Sequence, residues 1–145
     1  MRSTSLDHAL LELRRLSRSV QQPGGLPTLD QVDALEQTVG ARFHPDLRRY
    51  LLEASDVRWI GTKEPVTAVP SVVEGAVDFT YLPSVVESAR QWGVPADLIP
   101  ICEDNSDFYC MNERGEVVFW SHDGWTDEKW PDLATWIEAV WIGGN

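Results

Sequence analysis

The sequence predicts a single α+β domain, and three observations carry that prediction. Apolar residues recur at helical spacing through the first third, runs of β-branched and aromatic residues broken by Gly and Pro follow, and an amphipathic helical pattern closes the chain. At 145 residues the chain fits one domain, a size at which folding withdraws about two-thirds of the unfolded surface from water.

Leu6, Ala9, Leu10, Leu13, Leu16 and Val20 line one face of a helix over residues 5–20, with Arg14, Arg15 and Arg18 off the stripe. Gln21-Gln22-Pro23-Gly24-Gly25 breaks the pattern, because Pro lacks the amide donor and Gly costs helix entropy. Residues 1–22 therefore read as a separable helical arm and 26–145 as the domain proper. Thr28 with Gln31 forms a capping box, Leu29, Val32, Leu35 and Val39 follow at helical spacing, and Gly40 offers a C-terminal cap. Pro45 suits the first turn of a third helix whose Leu47, Tyr50, Leu51 and Ala54 share a face.

From Val57 to Leu82 the pattern turns to short strands and turns around Gly61, Pro65, Pro70 and Gly75. Ser84 and Glu87 predict a capping box that opens a helix through Trp92, ended by Gly93 and Pro95. Leu98–Cys102, Asp107–Asn112 and Glu116–Ser121 read as strands, the last two joined by a tight turn at Gly115. On the middle strand Phe108 and Cys110 face one way, Tyr109 and Met111 the other, which predicts an interior strand covered on both faces or one whose second face meets a partner. The closing helix spans Pro131–Trp141, with Leu133, Trp136, Ile137, Val140 and Trp141 as its buried stripe. No internal repeat is visible.

Charge divides the chain. Residues 1–60 balance eight Arg against eight acids, while residues 61–145 hold four basic and fifteen acidic residues and so carry the whole net charge of −11. That surplus repels phosphate backbones and argues against direct DNA or RNA binding, while it would steer a basic protein partner. No stretch approaches the about 20 apolar residues a membrane span needs, and the start is not a signal-peptide pattern, so the expected location is the cytoplasm. The two cysteines, Cys102 and Cys110, read as reduced core thiols.

Candidate chemistry is sparse. Glu103-Asp104-Asn105-Ser106-Asp107 is the densest oxygen cluster, but no EF-hand register fits it, since Phe108 falls where Gly or a ligand is required. His122-Asp123 beside Ser121 does not make a triad, because neighbours on an extended chain point apart. Gly24-Gly25 lacks the Lys and Ser or Thr of a phosphate loop. No catalytic residue, metal site or cofactor is expected. Seven Trp are present, six of them from Trp92 onward. Trp136 and Trp141 fit the core stripe, and Trp92 covers the short helix it ends. Trp120, Trp125 and Trp130 lie in "WSHDGWTDEKW", whose acids make either an interface with a charged rim or a loop pinned on the sheet.

Three strings, "GARFHPDLRRYLLEAS", "VPADLIPICEDNSDFYCMNERGEVVFW" and "WPDLATWIEAV", in this order from about Leu29 to Trp141, resemble the SUKH superfamily. That superfamily includes fungal cell-wall assembly regulators and bacterial toxin-immunity proteins. The chain departs from its common pattern at Ser55-Asp56-Val57 and at Asn105-Ser106. The resemblance implies a mixed, mainly antiparallel sheet flanked by helices, with no cofactor and no catalytic residue to transfer. With the charge asymmetry it leads to the expectation of an immunity protein that neutralises a basic toxin domain, for instance a nuclease, and to the alternative of a regulatory or scaffold adaptor. The expected contacts are Glu103, Asp104, Asp107, Asp123, Asp127 and Glu128, with Trp120 and Trp125 as anchors. A metal-assisted enzyme using the acidic loop is the third reading.

Overall fold

The computed structural model describes residues 2–17, 25–57, 60, 63–70, 72–73, 75–77 and 79–144, with only the backbone of 2–5, 72–73 and 125. The stripe expected on the first helix is real: Leu6, Ala9, Leu10 and Leu13 on α1 (Arg2–Leu16) are buried. The arm is not free, because those side chains join the hydrophobic core of the described residues and α1 packs on α3 (Pro45–Ala54) and the closing helix. Its described part ends at Leu16, and the expected extension over 18–20 lies outside the described residues. Arg14 then ties α1 to the end of α3, with Nη2 at 2.5 Å and Nη1 at 3.1 Å from the two carboxylate oxygens of the buried Asp56.

α2 (Leu29–Val39) has both halves of the capping box: the Thr28 hydroxyl accepts from the Gln31 N–H, and the Gln31 side chain accepts from the Thr28 N–H at 2.8 Å. Gly40 ends it in the left-handed region, its N–H bonded to the Glu36 carbonyl. α3 starts at Pro45 behind His44, whose Nδ1 accepts from the Asp46 N–H at 3.0 Å, and it buries Leu47, Tyr50, Leu51 and Ala54.

Between α3 and α4 (Leu82–Trp92) the chain makes the short hairpin β1 (Val72–Val73) and β2 (Ala76–Val77) and isolated bridges. Pro65 bridges Cys102 antiparallel and Thr67 bridges Tyr81 parallel. α4 begins two residues before the expected Ser84. Pro83, with φ preset for a first turn, replaces the capping box, and the Leu82 N–H bonds the Thr67 carbonyl at 3.0 Å instead of a side-chain cap.

β3 (Ile99–Asp104), β4 (Asp107–Met111), β5 (Val117–Ser121) and β6 (Gly124–Trp130) form an antiparallel sheet in that order. β4 is interior, as its two apolar faces predict. Phe108, paired with Trp120, packs on one face; Tyr109 meets the rings of Phe119, Trp130 and Trp136 on the other. α4 contacts β3, and α5 (Leu133–Trp136) contacts β6. The strand β6 was expected as a loop. Its Asp127, Glu128 and Lys129 have low strand propensity but suit an edge, where charges discourage pairing with foreign strands.

Asp132 caps α5 by accepting from the Thr135 N–H at 2.8 Å. From Ile137 to Ile142 the helix widens to π geometry. Trp136 and Trp141, five residues apart, are thereby brought to 6.4 Å between ring centroids, both buried. Val140, expected in the stripe, is only half-buried.

Candidate partner-binding surface

The expected contact residues do not form one patch. Four of the six carboxylates gather at one end of the sheet, and two lie along its edge. The gathering begins at the β3–β4 turn, where Asn105 (φ 54°) and Ser106 (φ 70°) supply the two left-handed residues of a tight hairpin turn. Glu103 steadies this turn by accepting from the Ser106 N–H at 2.7 Å. Asp104 and Asp107 flank it directly opposite each other, a like-charge pair that costs stability unless each finds a cation. Lys63 Nζ lies 3.9 Å from Asp104.

Asp107 is served by the other hairpin. Strand β5 brings His122 beside it, and Asp107 Oδ1 accepts from both the His122 N–H at 3.0 Å and Nδ1 at 2.7 Å. Nε2 lies 3.5 Å from Asp123, whose side chain is 85% exposed. Burial works against the charge on Asp107, but the backbone and ring of His122 and the Ser121 hydroxyl outweigh it and hold its pKa below the ordinary value. The hydrogen bond to Asp107 pushes the His122 pKa up, aided by Asp123 and opposed by burial.

Asp127 and Glu128 stay exposed on β6 and line a groove of about 400 Å³ together with Asp97, Leu98, Val118, Trp120 and Lys129. Trp120 is a correction to the expected anchors: it is only 9% exposed, because β5 is an inner strand and its ring packs on Phe108. The side chain of Trp125 lies outside the described residues. Among the described side chains Trp92 is an exposed indole at this end, 48% exposed and 5.1 Å from the His122 ring. Neither Trp92 nor His122 was expected as a contact. The pairing of Phe108 with Trp120, which sets Asp107 beside the β5–β6 turn, would have marked His122; the approach of Trp92 comes from α4 and has no signal in the strand register.

Four arginines of the opening helices are engaged away from this end. Arg14 binds Asp56, Arg15 binds Glu12, Arg48 binds Asp33 and Glu36, and Arg49 binds Asp7 and Glu53. In the second half, Arg90 donates to the carbonyls of Pro95, Ala96 and Leu98, while Arg114 and Lys129 meet Glu116. That pairing, with the Asn112 amide foremost, holds the Glu116 pKa at about 2. Cys102 and Cys110 are buried free thiols, and burial raises the Cys102 pKa to about 12. Among the described residues no three His, Cys, Asp or Glu side chains are gathered as a cation would need.

A family model described as SMI1-KNR4 cell-wall, SUKH_5, matches residues 7–142. The chain belongs to the SUKH family. The SUKH match takes in most of α1, the helix that packs into the common core, as well as the acidic hairpins. A solved protein from Pseudomonas syringae pv. tomato is 35% identical, over 94% of this chain and 98% of its own, with a TM-score of 0.83. That likeness shows the same fold in the two chains. No curated protein matches the chain. No helix among the described residues is long and apolar enough to cross a membrane.

Proposed function

We propose that this SUKH protein is a protein-binding module of the immunity type, which docks in the cytoplasm on a basic toxin domain and blocks its active site. What supports the reading is the sheet end that Glu103, Asp104, Asp107 and Asp123 share, while Arg14, Arg15, Arg48 and Arg49 are committed to first-half acids. Carboxylates held in a fixed array can occupy the phosphate subsites of a nuclease, and the net charge of −11 speeds encounter with a cationic surface. In this reading Asp127 and Glu128 form the rim along the edge strand, and Trp92 takes the anchoring place first given to Trp120.

The test is binding to a basic effector encoded beside this chain. Reversing Asp104→Lys and Asp123→Lys together should weaken that binding at least about tenfold, mainly by slowing association at low salt. Undiminished affinity in the double variant would sink the reading. The family's cell-wall description favours a second one, a regulatory adaptor. Genomic context separates the two, because an immunity gene lies directly after a large toxin gene and an adaptor gene need not.

A further inference from the structure

His122 stands where three segments remote in sequence meet. Asp107 comes from the start of β4, Asp123 from the same turn as His122, and Trp92 from the last turn of α4. The imidazole Nδ1 is 2.7 Å from Asp107, Nε2 is 3.5 Å from Asp123, and the Trp92 ring centroid is 5.1 Å away. A neutral imidazole has one N–H. If it serves Asp107, the lone pair on Nε2 faces the Asp123 oxygen, and two electron-rich atoms oppose each other. An imidazolium has two N–H groups, meets both carboxylates, and lies within cation–π reach of the indole. The charged groups facing the ring are Asp107 from β4 and Asp123 from its own turn, the Ser106 backbone adds a hydrogen bond, and α4 presents the uncharged Trp92.

We propose that His122 is a proton-operated latch on the end of the sheet: protonated, it clamps the β3–β4 hairpin, the β5–β6 turn and the end of α4 together; deprotonated, it frees Asp123 and Trp92 and leaves that end one charge more negative. As pH rises through the transition the surface thus becomes more receptive to a cationic partner. That consequence rests on the acidic-surface reading above, whereas the latch itself does not.

The decisive experiment follows the imidazole carbon and nitrogen shifts of His122 by NMR against pH, in the wild type, Asp107→Asn and His122→Gln, the last identifying the resonance. The latch requires a midpoint clearly above about 6.5, the value for a free imidazole. It also requires Nδ1 to keep the proton in the neutral form, and the midpoint to fall back toward about 6.5 in Asp107→Asn. Trp92 emission, taken as the difference between wild type and Trp92→Phe, should rise with the same midpoint as imidazolium quenching is lifted, and should lose that step in His122→Gln. A wild-type midpoint at or below about 6.5, or a Trp92 signal indifferent to it, overturns the latch. Calorimetry with a deca-lysine peptide, about one pH unit either side of the midpoint, should show about two- to threefold tighter binding above it and no step in His122→Gln. Peptide binding equally tight on both sides refutes the regulatory consequence, and binding at neither pH refutes the acidic-surface reading while the NMR result still decides the latch.

Discussion

At the scale of single residues, proton linkage makes the Asp107–His122 pair measurable. His122 has a raised folded pKa, so its contribution is complete below the unfolded value of about 6.5 and is lost as pH rises through the folded pKa. Asp107 has a lowered one, so its contribution is present above the unfolded value of about 3.9 and is lost as pH falls through the folded pKa. Thermal melts should accordingly place the pair's greatest contribution between about pH 4 and 6.5, and Asp107→Asn should flatten both flanks. Gly115 gives a second residue-scale prediction. It sits at φ 85°, and a Cβ there would fall 2.6 Å from His44 Nε2. Gly115→Ala should cost about 2 kcal/mol in a denaturant titration, since strain and collision act together. A turn at Gly115 is legible in sequence; the imidazole lying over it is not, because His44 comes from the N-terminus of α3.

Among elements, the attachment of α1 shows which ion pairs matter. Arg14→Ala leaves the buried Asp56 carboxylate without its bidentate partner and should cost about 2–3 kcal/mol. Arg15→Ala removes the more exposed pair with Glu12, one turn along the same helix, and should change stability by no more than about 0.5 kcal/mol. Equal losses in urea titrations would contradict this account of how α1 is held. The stripe of α1, the capping box of α2 and the Pro45 start of α3 could all be read from spacing, because caps and helical faces depend on residues within one or two turns. β6 could not, since nothing local distinguishes a charged edge strand from a loop. The start of α4 was displaced because an acceptor from the Thr67 carbonyl, outside the helix altogether, took the place of the Ser84 cap.

For the molecule as a whole, the separation of charge and of tryptophans decides which surface is available. Trp120→Ala empties a core position and should cost about 3–5 kcal/mol, which a melt will show before any binding assay. Trp92→Ala should leave stability within about 0.5 kcal/mol while weakening the basic partner, a division expected of an anchor and not of a core residue. Fold class, the helical opening, the covered middle strand and the acidic second half were determined by the sequence alone, because pattern and composition act through near neighbours and net charge is independent of arrangement. The clasp of Asp107 on a histidine fifteen residues away, the burial of Trp120 and the split of the acids into an end group and an edge group were decided only by tertiary structure. Strand register sets all three: moving a strand by one residue turns each of its side chains to the other face.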